Sequence, residues 1–151
     1  MRHHQSAWRV ERTGWLLMAL VLAATLLGIF GDGPLSHARS GSARHLSVRY
    51  DRLLRSSAPA QYAFVANAGG AGELRLRFDR SLMEDIELDS VVPQPETEEA
   101  GPDYTEFVFR VRGNAPVNID FRYRAATFGR RSGRVSVDGQ QAVLIDQFVY
   151  P

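Results

Sequence analysis

The sequence of 151 residues contains no cysteine and no lysine. The absence of cysteine excludes disulfide frameworks, thiolate zinc sites, iron–sulfur clusters and cysteine nucleophiles. Because all eighteen basic residues are arginine, lysine nucleophiles and Schiff bases are excluded as well. The chemistry open to this chain is therefore narrow.

Histidine is scarce. The four histidines are His3, His4, His37 and His45, and all of them precede the region in which a globular domain is predicted. A Ser-His-Asp triad or a histidine metal site is therefore not expected inside that domain. Residues 67–73, NAGGAGE, precede a strand rather than a helix, which does not match a phosphate-binding loop. We expect no catalytic residue, no metal site and no cofactor.

One long hydrophobic run lies near the N-terminus. Residues 13–31 carry no charge, and as a helix these nineteen residues would span about 28 Å, close to the ~30 Å hydrocarbon core of a bilayer. Three arginines precede the run, and Arg39 alone follows it within ten residues. The positive-inside rule then predicts a cytoplasmic tail at 1–12 and a transmembrane helix at 13–31.

A cleaved signal peptide is the main alternative, because Ser36-His37-Ala38 could serve as a cleavage site. The apolar stretch from Gly14 to Phe30 is seventeen residues long, whereas the hydrophobic part of a signal peptide usually has 7 to 15. An uncleaved anchor is therefore favoured. Release of a secreted, soluble binding domain near Ala38 stays open.

Beyond this run the composition changes twice. Residues 32–45 are rich in Gly and Ser and show no apolar period, so we predict a flexible linker. Residues 46–151 alternate apolar and polar positions, as in LSVRYD at 46–51 and LRLRFD at 74–79. This period of two is typical of strands with one buried and one solvated face.

Turn signals separate the predicted strands. Asp138-Gly139 is the strongest, since both central residues of a type I′ turn need positive φ; Gly129 to Gly133 reads as another turn. With further strands at Gln61–Asn67 and Ile86–Val92, we count seven or eight. The sequence predicts a mainly β protein, an Ig-like antiparallel β-sandwich over residues 46–151 preceded by one transmembrane helix.

Charge is distributed unevenly along the predicted sandwich. Nine of the seventeen acidic residues lie between Arg80 and Arg110, where no basic residue occurs, and seven arginines against one aspartate follow in 110–134. The acidic segment 84–103 lacks the spacing of an EF-hand loop, but a cation- or ligand-sensing role for it stays open. The basic segment 129–134, GRRSGR, reads as an exposed loop that could meet lipid headgroups or an acidic partner.

The segments GDGPLSHA, LSVRYDRLLRSSAP and the terminal QFVYP give the chain a family likeness. It resembles a group of small bacterial proteins with one N-terminal transmembrane helix and a β-rich outer domain, some encoded beside YetF-type polytopic membrane proteins. The resemblance implies an accessory role at the membrane and brings no catalytic residues with it.

The resemblance is concentrated near residue 50, and the basic loop offers a second set of contacts. As a partner-binding surface we predict Tyr50, Asp51, Arg52, Arg55, Arg130, Arg131 and Arg134. Alternatively, Tyr50 lies in the core of an edge strand and Arg52 pairs with an acid. The expected protein is non-enzymatic and lies in the cytoplasmic membrane with its C-terminal domain outside. The expected partners are the bilayer and another integral membrane or envelope protein; nucleic acid is not expected.

Overall fold

The computed structural model describes residues 3–26, 36–42, 45–69, 72–140 and 142–151. The chain divides into two compact units, Met1–Ser36 and His37–Pro151. The first unit contains the helix α1 (His3–Leu26), which begins ten residues before the predicted span. The predicted cytoplasmic tail is therefore helical from residue 3 onward.

No helix within the described residues combines the length and hydropathy of a membrane span. Positions 27–31 of the predicted segment 13–31 lie outside those residues. A transmembrane helix over 13–31 therefore stays a prediction.

The second unit is a β-sandwich. Its described residues form one short helix, α2 (Arg80–Met83), and eleven strands: β1 (His37–Ser42), β2 (Leu46–Asp51), β3 (Leu53–Arg55), β4 (Pro59–Ala66), β5 (Glu73–Asp79), β6 (Ile86–Val92), β7 (Thr97–Ala100), β8 (Tyr104–Arg110), β9 (Val117–Ala125), β10 (Gly129–Val137) and β11 (Val143–Tyr150). One sheet has the order β1-β2-β4-β9-β6 and the other the order β3-β11-β10-β5-β8-β7. All pairings are antiparallel except that of β3 with β11.

Aromatic rings from both sheets fill the core. Phe64 and Phe121 of the first sheet meet Phe78 of the second edge-on, with ring centroids 5.5 and 5.0 Å from that of Phe78. Phe107 joins them at 5.1 Å from Phe121. Each such ring contributes about 1.5–3 kcal/mol through removal of its apolar surface from water. The alternating apolar positions of the sequence thus form one core between two sheets.

The mainly β sandwich is confirmed, and three details differ from the prediction. The count of seven or eight strands is wrong, because the described residues form eleven. The predicted linker 32–45 is wrong for residues 37–42, which form β1, and the domain begins at His37 rather than at 46. The segment HARSGS has no apolar period; it joins the sheet by pairing with β2 along its whole length and buries Ala38.

The predicted turns have mixed outcomes. Asp138 and Gly139 connect β10 to β11 with φ of 49° and 71°, which confirms the turn with two positive φ values. The turn predicted at Gly129 to Gly133 is wrong, because these residues belong to β10. Glycine in this segment reflects close packing instead, since a Cβ at Gly133 would lie 2.7 Å from Cγ of Leu82.

Candidate functional site

Three of the predicted partner-binding residues, Tyr50, Arg52 and Arg130, line one depression of about 420 Å³. We call it the β11 depression, and its lining residues are Tyr50, Arg52, Leu53, Arg130, Asp146, Gln147 and Phe148. Residues far apart in the sequence thus meet at a single surface.

The register of three neighbouring strands brings these residues together. Strand β11 lies between β3 and β10, and Phe148 is opposite Leu53 on one side and Arg130 on the other. The period of two in β11 buries Val149 and points Phe148 outward. The outer face of the sheet therefore presents an aromatic ring between an aliphatic side chain and a guanidinium group.

Tyr50 is a buried residue that lines the β11 depression from beneath. Its side chain belongs to the core, and its hydroxyl oxygen accepts a hydrogen bond from the backbone N–H of Asp146 at 3.4 Å. This agrees with the alternative that placed Tyr50 in the core, although β2 lies between β1 and β4 and is not an edge strand. Tyr50 shapes the base of the depression rather than its rim.

An ion pair fixes the polar side of the depression. Nε and Nη2 of Arg130 each donate to one carboxylate oxygen of Asp146 at 2.9 Å. This hydrogen bond is the main cause that lowers the pKa of Asp146 below its ordinary value, and it raises the pKa of Arg130. The charge of Arg52 also lowers the pKa of Asp146. Arg130 pairs with Asp146, and Arg52 adds a second positive charge, so one positive charge is left over at the rim.

The apolar side of the depression is exposed to water. The relative exposures of Phe148 and Leu53 are 51% and 36%. Sequence reasoning missed both residues. The sequence of β11, VLIDQFVY, contained no clear signal, because apolar Leu144 and Phe148 face outward while polar Gln147 faces inward. A large aromatic side chain beside unburied charge is the composition typical of binding hot spots.

Arg131 does not lie at this surface, and the prediction that it belongs to an exposed basic loop is wrong. Its side chain points inward with a residue exposure of 8%, and its Nη2 donates to the carbonyls of Leu82 and Glu84 at 2.8 and 2.7 Å. Its Nη1 is buried without a hydrogen-bond partner in the described structure. Arg131 lies four residues before the buried Val135, and the period of two in a strand places both side chains on the same face. The inward orientation of Arg131 could therefore have been predicted from the sequence.

The remaining predicted residues lie outside the β11 depression. Asp51 contacts the imidazole Nδ1 of His37, and its carbonyl accepts from the side-chain amide of Gln147 at 2.6 Å. Arg55 is exposed at the end of β3, opposite Tyr150. Arg134 lies 3.6 Å from Asp79 through its Nε. The structure therefore assembles only part of the predicted set at one surface.

The acidic segment 84–103 does not converge. Its Asp89 lies 3.3 Å from Nε of Arg124, and Glu96 lies 2.8 Å from Nε of Arg110. Across the part of the chain that the structure describes, no group of three acidic, histidine or cysteine residues is placed to hold a metal ion. No observation therefore favours the cation-sensing alternative.

Chemically, the β11 depression combines a half-exposed ring, an aliphatic side chain and an arginine-rich rim. These groups suit recognition of a surface that carries both apolar and acidic side chains.

No protein-family model matches the chain, and no curated protein matches it either.

Proposed function

We propose that this protein is a membrane-anchored, non-catalytic binding module. In this proposal the apolar segment 13–31 spans the cytoplasmic membrane once, with the N-terminus inside and the sandwich outside. The β11 depression binds another envelope protein, an integral one, and the chain acts as an accessory to it.

The observation that carries the proposal is the composition of the β11 depression. Exposed Phe148 and Leu53 lie beside Arg52 and Arg130 on one outer face. Single exposed apolar residues are ordinary on protein surfaces, but an aromatic–aliphatic pair bordered by arginines is the arrangement found at the centre of protein interfaces.

The anchor is supported by the side chains of α1. Trp15, Leu16 and Leu20 have exposures of 66%, 67% and 70%, respectively, an apolar surface that water solvates poorly. A lipid environment would accept this surface at no such cost. Confinement to the membrane also raises the local concentration of the sandwich near its partner, so that a small interface suffices.

Retention of the anchor is favoured by the position of the candidate cleavage site. Cleavage after Ala38 would cut inside β1 and remove His37 and Ala38, which pair with Asp51 and Tyr50 in β2. Ala38 is part of the core. The secreted alternative therefore carries a packing cost that an uncleaved chain avoids.

The Ig-like description of the sandwich belongs to the proposal as well. It is supported by the two packed, mainly antiparallel sheets, in which sequence neighbours such as β4 and β5 lie in different sheets. A comparison of strand order with Ig domains is the appropriate check.

The test is affinity capture of the full chain from membranes solubilised in a mild detergent. The wild-type chain is expected to retain one integral membrane protein, and Arg52→Glu and Phe148→Ala are each expected to reduce its recovery at least tenfold. The matched control is Arg122→Glu, which makes the same charge change at an exposed residue outside the depression.

The proposal is supported if the control captures the same protein as the wild-type chain while both depression variants lose it. It is contradicted if no membrane protein is retained, or if the depression variants capture the same protein with equal yield. Circular dichroism of all variants checks that the sandwich remains folded.

A further inference from the structure

A second surface of the sandwich lies on the outer face of the sheet that contains β1. It is a depression of about 270 Å³ between β1, β2, β4 and β9. Arg39 and Arg49 line one side, and Ser47 and Asn118 contribute a hydroxyl and an amide. The surface shares no residue with the β11 depression.

Arg39 and Arg49 are directly opposite each other on antiparallel neighbours. Such positions are about 4.5–5.5 Å apart, and like charges placed there repel. Among the described residues, neither arginine takes part in an ion pair. The pair is therefore a local concentration of positive charge that no ion pair offsets within the described residues.

Most outward arginines of the other sheet differ from Arg39 and Arg49 in having acidic partners. Five of its six outward arginines have an acidic partner within 4.0 Å; these five are Arg75, Arg77, Arg110, Arg130 and Arg134, whereas Arg55 at the end of β3 has none among the described residues. Pairing with an acid is therefore usual for the outward arginines of that sheet, and the facing Arg39 and Arg49 of the first sheet depart from it.

The floor of the depression leaves room beside the two guanidinium groups. In the register of the sheet, Arg49 is followed by Ala63 on β4 and then by Asp120 on β9. Ala63 provides a small side chain at the centre. Asp120 also lines the depression, and its Oδ1 accepts a hydrogen bond from Gln61 at 2.8 Å. With two arginines and one aspartate, the site has a net charge of +1.

We propose that this depression binds a phosphate group, with Arg39 and Arg49 as its principal ligands. A guanidinium fork matches the oxygen spacing of phosphate and donates two parallel hydrogen bonds. Two forks side by side can share the unesterified oxygens of one phosphate, which relieves their mutual repulsion. The Ser47 hydroxyl and the Asn118 amide are donors suited to the remaining contacts.

The phosphate can belong to a free anion or to an anionic lipid headgroup. The lipid source rests on the proposed membrane anchor: Arg39 follows the end of the predicted span by eight residues, which at ~3.3–3.6 Å per residue cannot exceed about 30 Å. The free source does not depend on the anchor. Two probes therefore separate the sources.

The experiment uses the ¹⁵N-labelled full chain in a neutral detergent, with ionic strength held constant by sodium chloride. Inorganic phosphate is titrated in one series, and dihexanoyl phosphatidylglycerol is compared with dihexanoyl phosphatidylcholine in another. The backbone amide signals of Ser47 and Asn118 report occupancy. We expect a saturable shift with phosphate, and a shift with phosphatidylglycerol at the same signals if lipid is the source.

Arg39→Gln and Arg49→Gln are each expected to weaken binding at least tenfold. Arg122→Gln is the control, because Arg122 is exposed on β9 but does not line the depression, and it should change the affinity less than twofold. Folding is checked independently, since loss of the repulsion should leave the melting temperature of Arg49→Gln unchanged or raised.

Saturable shifts that depend on Arg39 and Arg49 support the site, whichever probe produces them. The proposal is overturned if neither probe gives a saturable shift, or if both arginine variants bind as the wild-type chain does. Phosphate binding in a chain whose sandwich faces the cytoplasm would refute the proposed function and leave this site standing.

Discussion

Tyr62 and Gln147 join the two sheets through a buried hydrogen bond from the tyrosine hydroxyl to Oε1 of the glutamine. The amide nitrogen of Gln147 donates in turn to the hydroxyl of Tyr123 at 2.9 Å and to the carbonyl of Asp51 at 2.6 Å. One glutamine thus satisfies three polar groups inside a mainly apolar core. Its backbone neighbours form the β11 depression, so this network fixes the position of the candidate site.

Replacement of Gln147 by Leu is expected to lower the free energy of unfolding by about 2–4 kcal/mol. The substitution leaves two buried hydroxyls and one carbonyl without their partner, and each such group costs about 1–3 kcal/mol when some relaxation is allowed. Urea denaturation measures the change. Leu144→Gln, on the exposed face of the same strand, should stay within about 0.5 kcal/mol; equal effects of the two substitutions would argue against the network.

Because Tyr62 and Tyr123 are buried, we expect the protein to lose stability at alkaline pH. Burial raises the pKa of Tyr62 to about 12 and also raises the pKa of Tyr123, whereas both residues release their proton near pH 10 when unfolded. The folded state then binds more protons than the unfolded state, so stability is complete below pH 10 and falls as pH rises toward 12.

Urea midpoints at pH 8, 9.5 and 11 test this dependence. The wild-type chain should lose stability between the last two values, and Tyr62→Phe/Tyr123→Phe should lose less over the same interval, whatever its stability at pH 8. An identical fall in both chains would show that other groups control alkaline unfolding.

The sequence was most informative where one face of a strand is buried. The apolar alternation at Leu46–Tyr50 and Leu74–Phe78 correctly predicted strands β2 and β5. The strand predicted at Ile86–Val92 is β6, with the same bounds. Strands β1 and β7 were missed for a physical reason: they are held by backbone pairing at sheet edges and bury little or nothing, so no apolar period marks them.

A substitution at Gly41 tests whether residues 37–42 form a strand or a flexible linker. Its φ is +99°, and a Cβ there would lie 2.2 Å from the carbonyl oxygen of Leu46. We expect Gly41→Ala to cost about 1–2 kcal/mol for the backbone conformation and about 1–3 kcal/mol more for the clash.

Gly113→Ala is the matched control, because Gly113 has a φ of +82° with nothing within 4 Å of the added Cβ. It should show the conformational cost alone. Thermal or urea unfolding compares the two variants; if Gly41→Ala is no more destabilising than Gly113→Ala, β1 is not part of the cooperative domain.

Glu106 carries a nearly buried charge on the outer face of the second sheet. Its Oε2 accepts from Nε and Nη2 of Arg77 at 3.0 and 2.8 Å, and its Oε1 lies 3.9 Å from Arg75. We expect Glu106→Gln to cost about 1–3 kcal/mol, since it weakens charge-assisted bonds to a guanidinium group.

Glu73→Gln provides the comparison, because Glu73 pairs with the same Arg75 at 3.4 Å but is more than half exposed. Its effect should stay below about 0.5 kcal/mol and should shrink further in high salt. Similar costs for the two substitutions would contradict the role assigned to burial.

The candidate site was less predictable than the fold. Tyr50, Arg52 and Arg130 were proposed because of charge and resemblance, and they do line one depression. Phe148 and Asp146 were not proposed, since their contribution depends on which strands flank β11. A parallel pairing of β3 with β11 brings residues 53 and 148 together, and no local sequence signal specifies such a contact.

The location of the sandwich can be tested by labelling single cysteines, since the chain contains no cysteine of its own. Ser132→Cys places a thiol on the exposed face of β10, and Gln5→Cys places one in the predicted cytoplasmic tail. A membrane-impermeant maleimide is applied to spheroplasts before and after lysis. The account predicts that the thiol at 132 reacts in intact spheroplasts and the thiol at 5 only after lysis; the reverse pattern would contradict it.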